Sequence, residues 1–185
     1  MIRIAGENGI AAYGVIMYVQ FIFIAIYIGY AIGTAPIISY NYGAGNQLEL
    51  QNVFKKSAMI VSGGSVLLTI VAILMAGVLS GIFVSYDAML FEMTKRGFVL
   101  CSFSFLFSGI GIFGSSLFTA LNNGIVSAII SFLRSVIFQV IAVMVLPIFW
   151  GIDGIWASVS LAELAGMCIT VFFILALRKK YHYWR

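Results

Sequence analysis

Residues 35–47 read APIISYNYGAGNQ, and they close an apolar stretch that begins near Gly9. Pro36 is a bend point for a helix, Tyr40 and Tyr42 suit a boundary between hydrocarbon and water, and Gly43-Ala44-Gly45-Asn46 is a turn signal. A long apolar run ended in this way reads as the exit of a membrane helix. Composition carries the same message. Of the 185 residues, 63% are hydrophobic and only 9% are charged, and the mean hydropathy is +1.12. A soluble domain carries about 25% charged residues, so this chain has too few to cover a surface facing water. The expected fold class is an all-α, polytopic membrane helix bundle.

Working outward, five apolar stretches lie at roughly 10–40, 57–84, 97–121, 124–149 and 152–177. Each meets the length of about 20 residues that a crossing needs, giving about five transmembrane helices in a single membrane domain over residues 1–185. Asn122-Asn123-Gly124 separates the third from the fourth, and Pro147 with Gly151-Ile152-Asp153-Gly154 separates the last two. Residues 178–185 form a basic tail. Lys55, Lys56, Arg178, Lys179, Lys180 and Arg185 fall on one side, against Arg3, Lys95 and Arg96 on the other, where Glu7, Asp87 and Glu92 dilute them. The excess predicts a cytoplasmic carboxy terminus in a multi-pass protein of the cell (plasma) membrane. Trp150 and Trp156 are expected at the outer interface, and Tyr181, Tyr183 and Trp184 at the inner one. The same placement explains the net charge of +4 without a nucleic-acid partner. No signal peptide is evident, since the first apolar run is too long for one. An outside amino terminus and an odd helix count both suggest helices missing from the front.

Most motifs with a chemical look have a plainer reading. Gly109-Ile110-Gly111-Ile112-Phe113-Gly114 spells GxGxxG, but it lies inside an apolar helical run and not between a strand and a helix, so close helix contact explains it better than a nucleotide. The GxxxG pairs Gly29/Gly33 and Gly77/Gly81 have the same reading. His182, the single histidine, has no cluster of Cys or carboxylates around it. Cys101 and Cys168 make no CxxC. The serines of the third stretch, Ser102, Ser104, Ser108, Ser115 and Ser116, have no base beside them and read as packing or pore-facing hydroxyls. No catalytic residue, metal site, cofactor or enzyme activity is expected.

Two charges remain inside the spans. Glu163 lies near the middle of the fifth stretch and Arg134 near the middle of the fourth. A charge at that depth costs on the order of 3 kcal/mol or more, so it faces a partner or a wet cavity. At about 1.5 Å per residue, Arg134 is about 15 Å and Glu163 about 21 Å from the tail side of their antiparallel helices. An arginine side chain spans that difference. The two form either an ion pair that orients the helices, or a site where Glu163 meets a proton, a cation or a cationic substrate. Gln20, Ser39, Asn41 and Gln139 are further candidates to line a polar cavity, or to tie helices together by hydrogen bonds.

The order of several motifs resembles one family. Ala11-Ala12-Tyr13-Gly14, Gly29, Gly33 and Pro36 to Asn46 are followed by Phe118-Thr119-Ala120-Leu121-Asn122-Asn123-Gly124, Ser127-Ala128, Ser131 and Arg134. Leu146-Pro147, Gly151-Ile152-Asp153-Gly154-Ile155-Trp156 and Ala162-Glu163 complete the set. Together they look like the carboxy-terminal part of the multidrug and toxic compound extrusion (MATE) family. The resemblance implies two six-helix lobes that exchange protons or sodium ions for small organic cations, with both termini cytoplasmic. It aligns the five stretches with the eighth to twelfth helices, an incomplete carboxy-terminal lobe. It also implies that transport needs the missing amino-terminal lobe or a partner chain. The third stretch lacks the intramembrane carboxylate that one branch uses to bind cations, whereas Glu163 and Arg134 match recurrent positions. A small self-associating membrane protein, either a pore or an oligomeric exporter, is the alternative.

Overall fold

The computed structural model describes residues 2–184, and within them every side chain except those of residues 2–5 and 7. Arg3, Glu7 and Arg185 of the charge count therefore lie outside the described side chains. Helix α1 (Ile2–Gly43) is interrupted at Gly6, and α2 spans Gln47–Val84. Next come α3 (Ala88–Ser102) and α4 (Ser104–Ala120). Helix α5 (Gly124–Phe132) runs through a π-helical turn (Leu133–Phe138) into α6 (Gln139–Tyr181). The only non-helical backbone inside α1 is at Gly6, so Pro36 does not break the helix.

The turn after residue 43 shows why Gly45 and Asn46 stand where they do. Asn46 N–H donates to the Asn41 carbonyl and Gly45 N–H to that of Tyr42, the paired bonds that satisfy the last carbonyls of a helix. The closing residue must be left-handed, and Gly45 has φ 67. Asn46 then caps α2, its side chain accepting from Glu49 N–H at 3.2 Å. The turn between α4 and α5 repeats the device with different residues. Asn123 N–H donates to Phe118 O and Asn122 N–H to Thr119 O. Asn122 is left-handed with φ 58, and Asn123 caps α5 by accepting from Val126 N–H. Asp87 caps α3 by accepting from Met89 and Leu90 N–H.

Three runs are long and apolar enough to cross a bilayer: Asn8–Gly43, Gln47–Val84 and the 58-residue Gly124–Tyr181. The pair α3–α4, bent by 42°, makes a fourth. The last run is not one rod, for a straight helix of that length would measure about 87 Å against about 30 Å of hydrocarbon. It folds back at Gly151 (φ 56, ψ −129). A Cβ on Gly154 would lie 2.4 Å from the Leu146 carbonyl oxygen, and one on Gly166 would lie 2.7 Å from Arg134 Cγ. Each pair is symmetric about Trp150, as in an antiparallel hairpin. Helix α3 begins at Ala88 rather than near residue 97, so Glu92, Lys95 and Arg96 lie on a helix. Their charges lower the local hydropathy, while the opposite face buries Leu90, Thr94, Gly97 and Phe98.

Helix α4 packs against α1, α2, α5 and α6. A Cβ on Gly109 would come within 2.5 Å of Ser65 Oγ and 2.7 Å of Tyr27, and one on Gly114 within 2.1 Å of Thr170 Cγ2. Around this axis are two apolar clusters, one with Ile16, Phe23, Phe98, Phe105 and Trp156, the other with Ile38, Phe54, Phe113, Phe118 and Tyr183. Trp156 is thus a core residue rather than an interfacial one. It is buried over Gly97 and stacks on Tyr13, with 5.9 Å between ring centroids. Trp150 is exposed. Gly29 and Gly33, by contrast, face open space, so that GxxxG pair makes no close contact within the chain.

The tail is also more ordered than its charge suggests. Helix α6 continues to Tyr181, and His182 closes it in a left-handed conformation (φ 55). Tyr183 is fully buried, its phenol donating to the Ile174 carbonyl at 2.6 Å. Burial, with Tyr181 nearby, holds that phenol well above the ordinary tyrosine range, so it stays a neutral donor.

The hairpin predicts that Gly154→Ala is destabilised by about 1–3 kcal/mol through overpacking. Gly29→Ala should be neutral or slightly stabilising. Thermal unfolding of both variants in detergent checks this, and equal stability would refute the reversal at Gly151.

Candidate functional site

Arg134 is carried by the π-helical turn, a distortion that recurs at functional sites. Its aliphatic stem lies in a slot between two helices. A Cβ on Gly111 of α4 would stand 3.0 Å from Arg134 Cδ, and Gly166 of α6 is equally close from the other side. Gly111 is the middle glycine of the GxGxxG run, so the motif makes room for a guanidinium. Arg134 Nε donates to Glu163 Oε2 at 2.7 Å, with the two side chains 13% and 14% exposed. A charge-assisted bond of this length offsets part of the cost of burying both ions.

The pair stands between two spaces. A cavity of about 320 Å³ is lined by Tyr13, Gln20, Arg134, Gln139 and Glu163. A groove of about 790 Å³ lies on the other side, lined by Ser39, Ser115, Ser116, Thr119, Ser131 and Arg134 among others. Arg134 borders both, whereas Glu163 borders only the cavity. The backbone thus brings Glu163, Arg134, Gln20 and Gln139 together. Gln20 is nearly buried and donates to Ser104 Oγ at 3.2 Å, tying α1 to α4. Ser39 lies in the groove, where its hydroxyl donates to the Ala120 carbonyl. Asn41 joins neither space. It is half-buried, and its amide donates to Ile37 O of its own helix.

A row of hydroxyls in the groove is a further feature, hinted at only by i, i+4 spacing on both helices. Thr119 donates to Ser127 Oγ at 2.7 Å, and the Ser115 hydroxyl lies 2.9 Å from that of Ser127 and 2.7 Å from that of Ser131. Among the described residues, no three His, Cys, Asp or Glu side chains converge as a metal site. A cation entering the cavity would meet one carboxylate, two amides, a phenol and the Ser135 hydroxyl, beside the Arg134 guanidinium. The second ion pair, Arg96 with Asp153, ties α3 to the hairpin at the far end of the bundle.

A helical bundle with an ion pair between a polar cavity and a hydroxyl-lined groove is the architecture of a membrane transport protein. The MatE family model matches residues 1–145, and the chain belongs to the MATE family of transporters. No curated protein sequence matches the chain. Among solved structures, the chain is similar to the Vibrio cholerae MATE transporter VcmN in its bent form. The TM-score is 0.85 and the identity 21%, over 97% of this chain and 41% of that one. It is also similar to an outward-facing multidrug resistance MATE family transporter of the MOP superfamily, with a TM-score of 0.84 and 20% identity over 96% of this chain and 41% of that one. The chain therefore spans about two-fifths of the length of the transporters it matches. Family and fold point to a transporter and not to an enzyme.

Arg134→Ala should destabilise the chain by about 3–5 kcal/mol, because it strands a buried carboxylate. Removing both charges, as Arg134→Ala with Glu163→Gln, should recover part of that loss. Denaturant unfolding in micelles measures both, and identical losses would exclude the stranded charge as the cause.

Proposed function

We propose that the chain forms part of the carboxy-terminal lobe of a MATE-type multidrug efflux antiporter. It exports small organic cations in exchange for protons or sodium ions, and an amino-terminal lobe or a partner chain completes the path. The observation that carries this reading is the Arg134–Glu163 pair, because Arg134 behaves as a tethered internal cation. A proton, a sodium ion or a substrate ammonium that reaches Glu163 from the cavity replaces the guanidinium there. The displaced Arg134 stays satisfied on the groove side, near the Ser131 hydroxyl. With Thr119 donating to Ser127 and the chain of hydroxyls continuing through Ser115 to Ser131, Ser131 Oγ keeps a lone pair that can accept from the guanidinium. Glu163 carries a single negative charge, so an arriving cation weakens the hold on Arg134 and competes with it, and such competition is what exchange requires. Tyr13, Met17 and Phe21 on the cavity wall suit the apolar part of an amphipathic cation. The coupling ion acts as cargo, and the reading calls for no cofactor.

The basic residues near the tail support a plasma-membrane protein with that end on the cytoplasmic side. Gly29 and Gly33 support a second arrangement. Open small-residue surface on α1 suits a helix from another copy, and such an assembly would be an oligomeric exporter or pore.

Binding of a lipophilic fluorescent cation to the chain in nanodiscs tests the exchange. The chain should bind this cation at least tenfold more tightly than a neutral analogue of the same shape. Glu163→Gln should bind the cation about tenfold or more weakly, since it loses a contact with a charged group, and should lose most of that preference. Unchanged affinity and preference in that variant would remove Glu163 from the mechanism.

A further inference from the structure

The aromatic segment Tyr181 to Trp184 ties together elements that are distant in sequence. Tyr181 OH accepts from Asn123 Nδ2 at 2.9 Å, and its ring lies 5.7 Å from that of Tyr42. Gln51 Nε2 of α2 donates to the His182 carbonyl at 2.9 Å. Phe54 of the same helix packs on Tyr183 and Trp184, with ring centroids 5.0 and 6.1 Å apart. These contacts pin the end of α6 onto the beginning of α2.

Two sets of basic residues are brought together as a result. Lys55 and Lys56 follow Phe54 on α2, with Lys55 one turn beyond Gln51 and on the same face. Arg178, Lys179 and Lys180 precede the aromatic segment on α6. All five are exposed, and among the described residues none is paired with a carboxylate. The nearest acid in the sequence, Glu49, accepts from Asn52 at 3.4 Å. Position along the membrane normal also fits. A helix as long as α2, with 38 residues, measures about 57 Å and outruns about 30 Å of hydrocarbon, so its charged end reaches headgroup level. Trp184 is 39% exposed beside the charges, as interfacial tryptophans are.

We infer that the carboxy-terminal aromatic segment, by locking α6 onto α2, assembles Lys55, Lys56 and Arg178 to Lys180 into one docking surface for anionic phospholipid headgroups. The surface recognises phospholipid of net negative charge in the leaflet on the tail side, whichever side of the membrane that is. It stands apart from the transport reading, because none of these residues borders the cavity or the groove. Scattered basic residues near a membrane gain about fivefold in affinity per charge wherever they sit. A built surface depends also on the lock that holds the two sets in register.

Native mass spectrometry of the chain in micelles, titrated with phosphatidylglycerol or with phosphatidylcholine of the same acyl chains, tests the inference. The wild-type chain should prefer phosphatidylglycerol at least tenfold. Lys55→Gln with Lys56→Gln, or the triple change of Arg178, Lys179 and Lys180 to Gln, should each remove most of that preference. Tyr183→Ala keeps all five charges and should weaken it about fivefold. Gln51→Ala, a milder change that leaves the rings packed, should weaken it in the same direction. Wild-type preference in both Tyr183→Ala and Gln51→Ala would overturn the inference in favour of unorganised charge. Displacement of phosphatidylglycerol by millimolar inorganic phosphate would overturn the assignment to lipid.

Discussion

Helices in a bilayer gain little from hiding apolar side chains, because lipid is as apolar as they are, so close packing and polar contacts must hold them together. In this chain that requirement falls on α4. Gly109 admits Ser65 and Tyr27, Gly111 admits the Arg134 stem, and Gly114 admits Thr170. Three glycines within six residues thus receive α1, α2, the π-helical turn and α6. Any side chain at Gly114 would displace a β-branched threonine rather than the tip of a flexible residue. Removing the side chains also exposes α4 carbonyls to neighbours, and Tyr27 OH donates to Phe105 O at 2.8 Å. The ion pair depends on the same arrangement. Without the slot between Gly111 and Gly166, Arg134 could not lie across the bundle to reach Glu163.

Some of this was legible in the residues. The turn at Gly45-Asn46 is dictated locally, since a left-handed closing residue followed by an N-cap asparagine has few other uses. Asn122-Asn123 follows the same rule with a less common closing residue. Helical rise alone brought Arg134 and Glu163 to similar depth, and the two side chains touch. Local rules failed where the outcome depended on partners. LRSVIF has no glycine or proline to announce a π-helical turn; the distortion coincides with the need to place Arg134 between two helices. Trp156 looks interfacial beside Gly151-Ile152-Asp153-Gly154, yet the small residue facing it, Gly97, is 59 positions earlier. Tyr181, Tyr183 and Trp184 look like anchors at the membrane surface. Only the packing of Phe54 and Gln51 against that segment shows that Tyr181 and Tyr183 are interior. Asn41 erred the other way, being a polar residue in an apolar run whose own helix satisfies it.

The groove constrains how the lobe can sit in a membrane. Elsewhere on α1, Tyr18, Ile22 and Ile26 are more than half exposed, as suits a helix against lipid. Beside the groove, hydroxyls of α4 and α5 bond to one another, and the guanidinium of Arg134 is engaged by Glu163 through Nε. Hydrocarbon cannot satisfy the donors that remain, and each unsatisfied polar group in lipid costs several kcal/mol. That face therefore has to meet water or protein. The exchange proposed for Arg134 imposes the same demand, because a guanidinium released from Glu163 needs a polar environment. In that proposal a second lobe or a second copy on the groove side would supply it, and the exposed glycines on α1 are where a neighbouring helix could come closest. Access for the exchanging cation, the hydration of the groove and the contact with a partner are thus one requirement, set by a single arginine held between two spaces.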